Sequence, residues 1–153
     1  MTSGIAVFDA SPLIALHQIG HLALPHSLFL QSLVPPIVAA EVAPSLGTVP
    51  DWIDVRADFA VLSLARDLDA GELAAISLAM RVSADFVVLD DLAGRLTAAE
   101  LGLTTVGSLG LLVRAKANGL IDEVRPLMDA MIVHGLYTGE GLYRLILSIA
   151  GEA

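Results

Sequence analysis

Two short apolar segments, each closed by an aspartate, decide the fold: Ile5-Ala6-Val7-Phe8-Asp9 and Phe86-Val87-Val88-Leu89-Asp90. Uninterrupted apolar runs of this length are typical of strands that are buried on both faces, as in parallel sheets. A helical pattern follows each segment, beginning at Ser11-Pro12 in the first case and at Leu92 in the second. The order of strand, aspartate and helix therefore predicts two βα units of one parallel sheet.

The rest of the chain continues this alternation of strands and helices. Further strands are predicted at 29–34, 52–55 and 104–106, and a loop at 44–51. Helices are predicted at 11–18, 36–42, 69–82, 92–101, 108–117, 122–133 and 139–150, with a turn or short helix at 22–27. A chain of 153 residues is of ordinary single-domain size. We therefore expect one three-layer α/β/α domain over residues 1–153, with a mainly parallel central sheet between helices.

The composition indicates a folded chain with little charge on its surface. Hydrophobic residues make up 56% of the sequence and charged residues 16%, against about 25% charged residues in an ordinary domain. This excludes a disordered chain and predicts apolar surface that a second copy covers, in a homodimer. The last helix has Leu142, Leu145, Ile146 and Ile149 on one stripe, and we expect that stripe to serve mainly the core.

The charged residues also restrict the class of function. Lysine and arginine number 8 and aspartate and glutamate 17, which gives a net charge of −9. Nonspecific binding of nucleic acid through a basic patch is therefore disfavoured. The absence of cysteine excludes disulfides, thiolate zinc sites and cysteine nucleophiles.

A stretch without charged side chains, residues 10–40, has the length of a membrane span. Prolines, histidines and Gly20 interrupt it, and lipid could not satisfy the polar groups that they introduce. The first residues lack the pattern of a signal peptide. We expect a cytoplasmic protein with no membrane contact.

Asp9 and Asp90 each come directly after a predicted strand. Sites in open α/β sheets assemble at the carboxyl ends of the strands. An aspartate at a strand end is also a common turn or helix-cap residue. Two such residues, each after an apolar run of four, favour a site over two unrelated caps.

Two glutamates add to this pattern. Glu41 shares a helix with Ile37 and Val38 and lies on or beside its apolar face, although the alternative is that its side chain reaches solvent. Glu72 lies on the inward face of its helix, but its spacing from Asp69 is also that of a capping box. We expect these two roles of Glu72 to exclude each other.

Four carboxylates at one end of a sheet repel one another unless protons or cations intervene. Hard oxygen ligands suit Mg²⁺ or Mn²⁺. Such ions activate water and stabilise the leaving oxygen in phosphodiester cleavage. A bound metal would also let an acidic protein act on a polyanion.

Three parts of the sequence resemble PIN domains. The opening Val7-Phe8-Asp9-Ala10-Ser11-Pro12-Leu13-Ile14-Ala15-Leu16 resembles the first PIN motif, an aspartate followed two residues later by serine or threonine. Glu41 stands where PIN domains carry their second acid, and Glu72 and Asp90 have the 18-residue separation of the third and fourth acids. Segments 71–76, 88–91 and 107–110 are similar to a VapC-like prokaryotic subfamily.

The resemblance implies a ribonuclease that depends on Mg²⁺ or Mn²⁺, in many members a homodimer and the toxin of a toxin–antitoxin pair with a protein antitoxin. It assigns catalysis and metal binding to Asp9, Glu41, Glu72 and Asp90. It also implies that Ser11 supports Asp9 or contacts phosphate, and that Asp91 can substitute for a neighbouring acid. Glu72 departs from the commoner aspartate at its position.

Arg95 is the cation best placed to contact an RNA phosphate, because it follows Asp90-Asp91 by about one helical turn. Its alternative role is a surface ion pair with Asp91 at i, i+4.

Three other functions fit parts of the sequence. Phe86–Asp90 also resembles the phosphoacceptor strand of a receiver domain, although no acid pair follows the first strand. His17 and His21 have the spacing of a zinc site on one helix. A PIN fold that binds RNA or protein without cutting is the main alternative to a nuclease.

Overall fold

The structure is a computed structural model and describes residues 4–64 and 66–153. Within those residues five strands form one sheet: β1 Ile5–Phe8, β2 Gln31–Val34, β3 Ile53–Val55, β4 Phe86–Val88 and β5 Thr105–Val106. Their order is β3-β2-β1-β4-β5, and every neighbouring pair is parallel. The predicted parallel sheet is therefore confirmed, with the two aspartate-terminated strands β1 and β4 side by side at its centre.

The described residues contain eight helices, which cover both faces of the sheet. Their bounds are α1 Ala10–Gln18, α2 Leu24–Leu28, α3 Pro36–Leu46, α4 Ala70–Val82, α5 Leu92–Glu100, α6 Ser108–Ala117, α7 Arg125–Val133 and α8 Glu140–Ile149. Buried side chains of α4 and α5 form one apolar cluster with the sheet, and those of α1, α2, α3, α6, α7 and α8 form the other. The predicted three-layer α/β/α architecture is confirmed.

The alternation of side chains along β1 explains why both clusters exist. Ala6 and Phe8 belong to the larger cluster, Val7 belongs to the smaller one, and all three are fully buried. Successive side chains of a strand point to opposite faces, so a strand covered on both sides must be apolar at every position. The uninterrupted run that predicted this strand is thus a direct consequence of its two-sided burial.

Some predicted boundaries were wrong, and local hydrogen bonds explain why. α3 continues through Pro44, which was predicted to begin a loop, and ends at Leu46. Pro44 lacks only its own N–H, and Gly47 closes the helix at φ 81° with an N–H bond to the carbonyl of Ala43. β2 begins at Gln31 rather than at residue 29, because the N–H of Phe29 still bonds to the carbonyl of Pro25 in α2.

α7 begins three residues later than predicted, at Arg125. The Glu152 carboxylate accepts hydrogen bonds from the N–H groups of Val124 and Arg125, at 2.7 Å and 3.0 Å. These are N–H groups that a helix start leaves without an intrahelical partner. A residue far along the chain therefore stabilises the start of this helix.

The expectation that the apolar stripe of α8 serves mainly the core was wrong. Ile146 is buried, but Leu142, Leu145 and Ile149 are 45%, 54% and 60% exposed. Leu147, which lies outside the predicted stripe, is buried instead. The helix is therefore turned so that most of the stripe faces outward.

The uncharged stretch 10–40 folds into α1, α2, β2 and the beginning of α3. Gly20, at φ 76°, lies in the turn that follows α1. Across residues 4–64 and 66–153, no helix combines the length and the hydropathy that a membrane span requires.

Candidate active site

The candidate site lies at the carboxyl edge of the sheet, where the parallel strands end. Phe8 and Val88 are register partners in β1 and β4, and the N–H of Asp9 donates to the carbonyl of Val88 at 2.9 Å. Asp90 comes two residues after the end of β4. The two strand-terminal aspartates therefore belong to neighbouring strands, as the sequence predicted.

Asp9 is the most buried of these acids, with only 5% of its surface exposed. Burial raises the pKa of its carboxyl group from 3.8 to about 6. A hydrogen bond from the N–H of Ala10 lowers the pKa, while the charges of Asp69, Glu41 and Asp90 raise it further. Asp9 is thus held, desolvated, among carboxylates that come from three other parts of the chain.

Glu72 lies in the first turn of α4 and is 7% exposed. Burial raises its pKa to about 7, and the charges of Asp69, Asp91 and Asp9 add to this effect. The first turn of α5 passes close to its carboxylate, since a Cβ on Gly94 would lie 3.6 Å from Oε2 of Glu72. Glu72 therefore faces the same edge of the sheet as Asp9.

Glu72 also belongs to the N-terminal cap of its helix. Oδ1 of Asp69 accepts a hydrogen bond from the N–H of Glu72 at 2.8 Å, and the N–H of Asp69 in turn lowers the pKa of Glu72. The capping contact and the approach to Asp9 occur together in this structure, and the site role of Glu72 stays a prediction. The N-terminal cap of α4 lies at the carboxyl edge of the sheet. The Glu72 side chain, which reaches back toward this cap, therefore stays beside Asp9.

Asp69 is a member of the site that the sequence did not identify. Its charge raises the pKa values of Asp9, Glu41 and Glu72 and is the largest charge effect on each of them. The spacing of Asp69 from Glu72 is that of a capping box. In the sequence, capping was therefore a sufficient explanation for Asp69, and no role in the site was assigned to it. The N-terminus of α4 lies at the carboxyl edge of the sheet. Asp69 caps that N-terminus, so its charge also lies at this edge.

Glu41 reaches the site from α3 although its side chain is exposed. Its carboxylate lies over Gly71, where an added Cβ would be only 2.5 Å from Oε1 of Glu41. Partial burial and the charge of Asp69 raise the pKa of Glu41. Both sequence expectations for this residue therefore hold in part: it contacts solvent, and it also belongs to the acidic group.

Asp90 is fixed by a partner that sequence reasoning missed. The N–H and hydroxyl groups of Ser108, a fully buried residue at the start of α6, donate to its two carboxylate oxygens at 2.7 Å and 2.6 Å. Asp91 begins α5 and accepts a hydrogen bond from the N–H of Gly94 at 3.2 Å. Asp91 therefore acts as a helix cap, and its charge still reaches Glu72.

These acids are called the acidic cluster below: Asp9, Glu41, Asp69, Glu72, Asp90 and Asp91. Ser11 and Arg95 lie at its border. Ser11 is exposed and borders a cavity of about 360 Å³ that also reaches Asp90. No side-chain hydrogen bond caps the start of α1 at Asp9, and the role of Ser11, to support Asp9 or to contact phosphate, stays a prediction.

The guanidinium group of Arg95 lies close to Asp90. A Cβ on Gly107 would be 3.2 Å from Oδ1 of Asp90 and 3.4 Å from Nη1 of Arg95. The salt bridges found in residues 4–64 and 66–153 do not include the alternative pair of Arg95 with Asp91. Arg95 therefore remains available beside the acidic cluster.

The donors of the acidic cluster suit a hard divalent cation, but the arrangement is looser than the sequence predicted. Among the residues described, no three acidic or histidine side chains lie close enough together to hold one ion. Mg²⁺ commonly takes one or two carboxylates and keeps several waters. The raised pKa values of Asp9 and Glu72 are those of carboxylates that lack a counter-charge. The residues present fit a partly hydrated Mg²⁺ or Mn²⁺ ion.

The zinc alternative does not fit this structure. α1 ends at Gln18 and the chain turns at Gly20, so His17 and His21 do not share a helix face. In the described part of the chain, no third metal-ligating side chain completes a group with them.

The chain was compared with known proteins, solved structures and family models. No curated protein matches the chain. Among solved structures it is similar to a PilT N-terminus domain protein from the hyperthermophilic archaeon Sulfolobus solfataricus P2, with 16% identity and a TM-score of 0.48, over 88% of this chain and 99% of the other. A family model described as a PIN domain, DUF3368, matches residues 5–152, which leaves no place for the receiver-domain alternative. The chain therefore belongs to the PIN domain family, whose members are typically nucleases.

Proposed function

We propose that this protein is an endoribonuclease that requires Mg²⁺ or Mn²⁺ and hydrolyses RNA phosphodiester bonds. The observation that carries this proposal is the state of Asp9, which is 5% exposed and whose pKa is raised to about 6 by burial and by three neighbouring carboxylates. A buried carboxylate among like charges is costly unless a cation compensates it.

The acidic cluster provides the ligands for such an ion. Asp9 together with Asp90 or Glu72 would hold it, and Glu41 and Asp69 would bind its waters. When bound, a Mg²⁺ or Mn²⁺ ion activates water and stabilises the leaving oxygen of a phosphodiester. The family supports this assignment at the level of a nuclease.

Other residues of the chain prepare these ligands. Ser108 fixes both oxygens of Asp90, which sets the direction of that carboxylate before substrate arrives. Gly71 leaves room for the carboxylate of Glu41, and Gly94 leaves room for the side chain of Leu89 beneath the first turn of α5. The site is therefore formed by packing and hydrogen bonds within the chain.

The test is hydrolysis of an end-labelled single-stranded RNA of mixed sequence, with Mg²⁺, with Mn²⁺ and with EDTA. We expect cleavage that needs the metal and that is lost in Asp9→Asn. Asp51→Asn is the matched control, because Asp51 is an exposed acid just before β3, at the opposite edge of the sheet.

Two results would contradict the proposal. Equal cleavage by wild type and Asp9→Asn would identify a contaminating nuclease. RNA binding without cleavage under all metal conditions would favour the alternative, a PIN fold that binds RNA and does not cut it.

The proposal extends to the biological role implied by the resemblance of segments 71–76 and 107–110 to VapC-like proteins. The nuclease would be the toxin of a toxin–antitoxin pair, held inactive by a protein antitoxin. Induced expression in a bacterial host should then arrest growth, and Asp9→Asn should not. Normal growth during expression of active enzyme would argue against toxicity and leave the nuclease proposal intact.

A further inference from the structure

A groove of about 600 Å³ extends from the acidic cluster along one side of the protein. It begins at Asp90 and Asp91 and runs beside the edge strand β5 and the helix α6 as far as Arg114. The opposite wall is formed by α8 and by the linker between α7 and α8. Its volume is within the usual range of binding sites for small organic molecules.

Two arginines in this groove have no acidic partner. Arg95 and Arg114 line it, and neither takes part in a salt bridge within residues 4–64 and 66–153. Four other cations of the described chain are paired: Arg56, Arg66, Lys116 and Arg144. The guanidinium of Arg114 lies 4.4 Å from the centre of the Phe86 ring, which positions it and leaves its charge uncompensated. In a chain of net charge −9, this groove offers anions two cations that no salt bridge of the described residues occupies, and one of them, Arg95, lies beside Asp90.

Tyr137 stands at the border of the groove with 90% of its surface exposed. It belongs to the linker between α7 and α8, between Gly135, at φ 109°, and Gly139. Tyr137 also borders the second cavity, which contains Ser11, and Asp90 borders both cavities. An exposed aromatic ring is thus placed next to the acidic cluster, where a base could stack on it.

We propose that this groove, called the Tyr137 groove below, binds the RNA strand next to the scissile phosphate. Arg95 and Arg114 contact phosphates, and Tyr137 stacks on a base. The inference rests on the proposed function. The groove is continuous with the acidic cluster at Asp90, and this continuity places the groove next to the bond that the proposed nuclease cuts. Stacking on Tyr137 requires a base that is free of its duplex neighbours, so the ligand is single-stranded.

The binding experiment uses the full chain with Asp9→Asn as background, so that the RNA stays intact. Fluorescence anisotropy with a short labelled single-stranded RNA, in Mg²⁺, gives Kd at several salt concentrations. Tyr137→Ala should weaken binding about fivefold or more, the lower end of base–aromatic stacking. Tyr137→Phe keeps the ring and should keep the affinity.

The arginines are tested by the salt dependence of the same Kd. Arg95→Ala and Arg114→Ala should each reduce the slope of log Kd against log salt by about 0.7, the value for one contact to single-stranded nucleic acid. Arg81→Ala is the matched control. Arg81 is an exposed cation in the last turn of α4, outside the groove, and its removal changes the net charge equally.

The outcomes separate this inference from the proposed function. Unchanged affinity and salt slope in the three groove variants, or duplex RNA bound as tightly as single strands, would overturn the Tyr137 groove even if the enzyme cuts RNA. Failure of the nuclease proposal is recognised by a separate result. In that case no hydrolysis of RNA or of bis(p-nitrophenyl) phosphate depends on Asp9. Loss of affinity in Tyr137→Ala would support the groove in either case.

Discussion

Replacing Asp9 by asparagine should stabilise the metal-free protein, which is unusual for a change in a buried residue. Burial and neighbouring acids raise the pKa of Asp9 from 3.8 to about 6 in the folded state. Folding is therefore favoured most below pH 3.8, and this contribution is lost as pH rises through about 6. Asparagine carries no charge, and its oxygen can still accept the N–H of Ala10.

The size of the effect follows from the same two pKa values. Their difference corresponds to about 3 kcal/mol of destabilisation by the charged carboxylate at pH 8. Since relaxation around the charge reduces this figure, we expect Asp9→Asn to gain about 1–3 kcal/mol. In a domain of this size each kcal/mol raises Tm by about 2–4 °C.

The assay is urea denaturation in EDTA between pH 4 and 8, followed by circular dichroism. The gain should be near zero at the acid end and largest at pH 8, while Asp51→Asn should follow wild type throughout. Added Mn²⁺ should then stabilise wild type more than Asp9→Asn, because Asp9 is one of the proposed ligands.

Two results would refute this reasoning. A gain that is independent of pH, or a loss of stability at pH 8, would show that the charge of Asp9 is already compensated in the folded protein. Equal stabilisation of both proteins by Mn²⁺ would remove Asp9 from the metal ligands.

Four other predictions concern separate parts of the structure. Gly71→Ala should leave stability unchanged or raise it by up to about 1 kcal/mol, yet lower RNA hydrolysis, because its Cβ would displace the Glu41 carboxylate. Ser108→Ala should cost about 1–3 kcal/mol in urea denaturation, because it removes the hydroxyl that donates to Asp90. Glu152→Gln should destabilise the protein at pH 7, with a difference that shrinks as pH falls from 4.5 to about 2, since the pKa of this carboxyl is lowered to about 2. Sedimentation should show a homodimer, as low surface charge and the exposed stripe of α8 predict; a monomer at micromolar concentration would contradict it.

The sheet and its two aspartates could be predicted because the burial of a strand and the point where it ends are both visible in the residue types of a short segment. An apolar run closed by an acid, as at Phe8-Asp9, indicates a strand that is buried on both faces and ends at the acid. Parallel strands end at the same edge of a sheet, which favoured a common site for Asp9 and Asp90; the structure adds that β1 and β4 are neighbours. Glu41 and Glu72 followed from helix periodicity.

The partners of these acids could not be predicted in the same way. Ser108 lies 18 residues after Asp90 and meets it only because β5 pairs with β4 and leads α6 back to that strand. Asp69 has an adequate local explanation as a cap, and periodicity cannot show that its helix begins at the carboxyl edge. Interactions between elements are set by topology, which the pattern of a single segment does not contain.

The uneven distribution of charge is consistent with the proposed action of so acidic a chain on RNA. Six of its 17 acids form the acidic cluster, and that edge therefore repels a polyanion as long as no cation is bound. Arg95 lies near Asp90 at the border of this edge, and Arg114 lies farther along the groove; neither forms a salt bridge within the described residues. The burial of Asp9, which disfavours its charge, strengthens the attraction of the same site for a divalent ion. In the proposed nuclease, the acidic cluster would bind the metal and the arginines of the neighbouring groove would bind RNA, without a large basic surface.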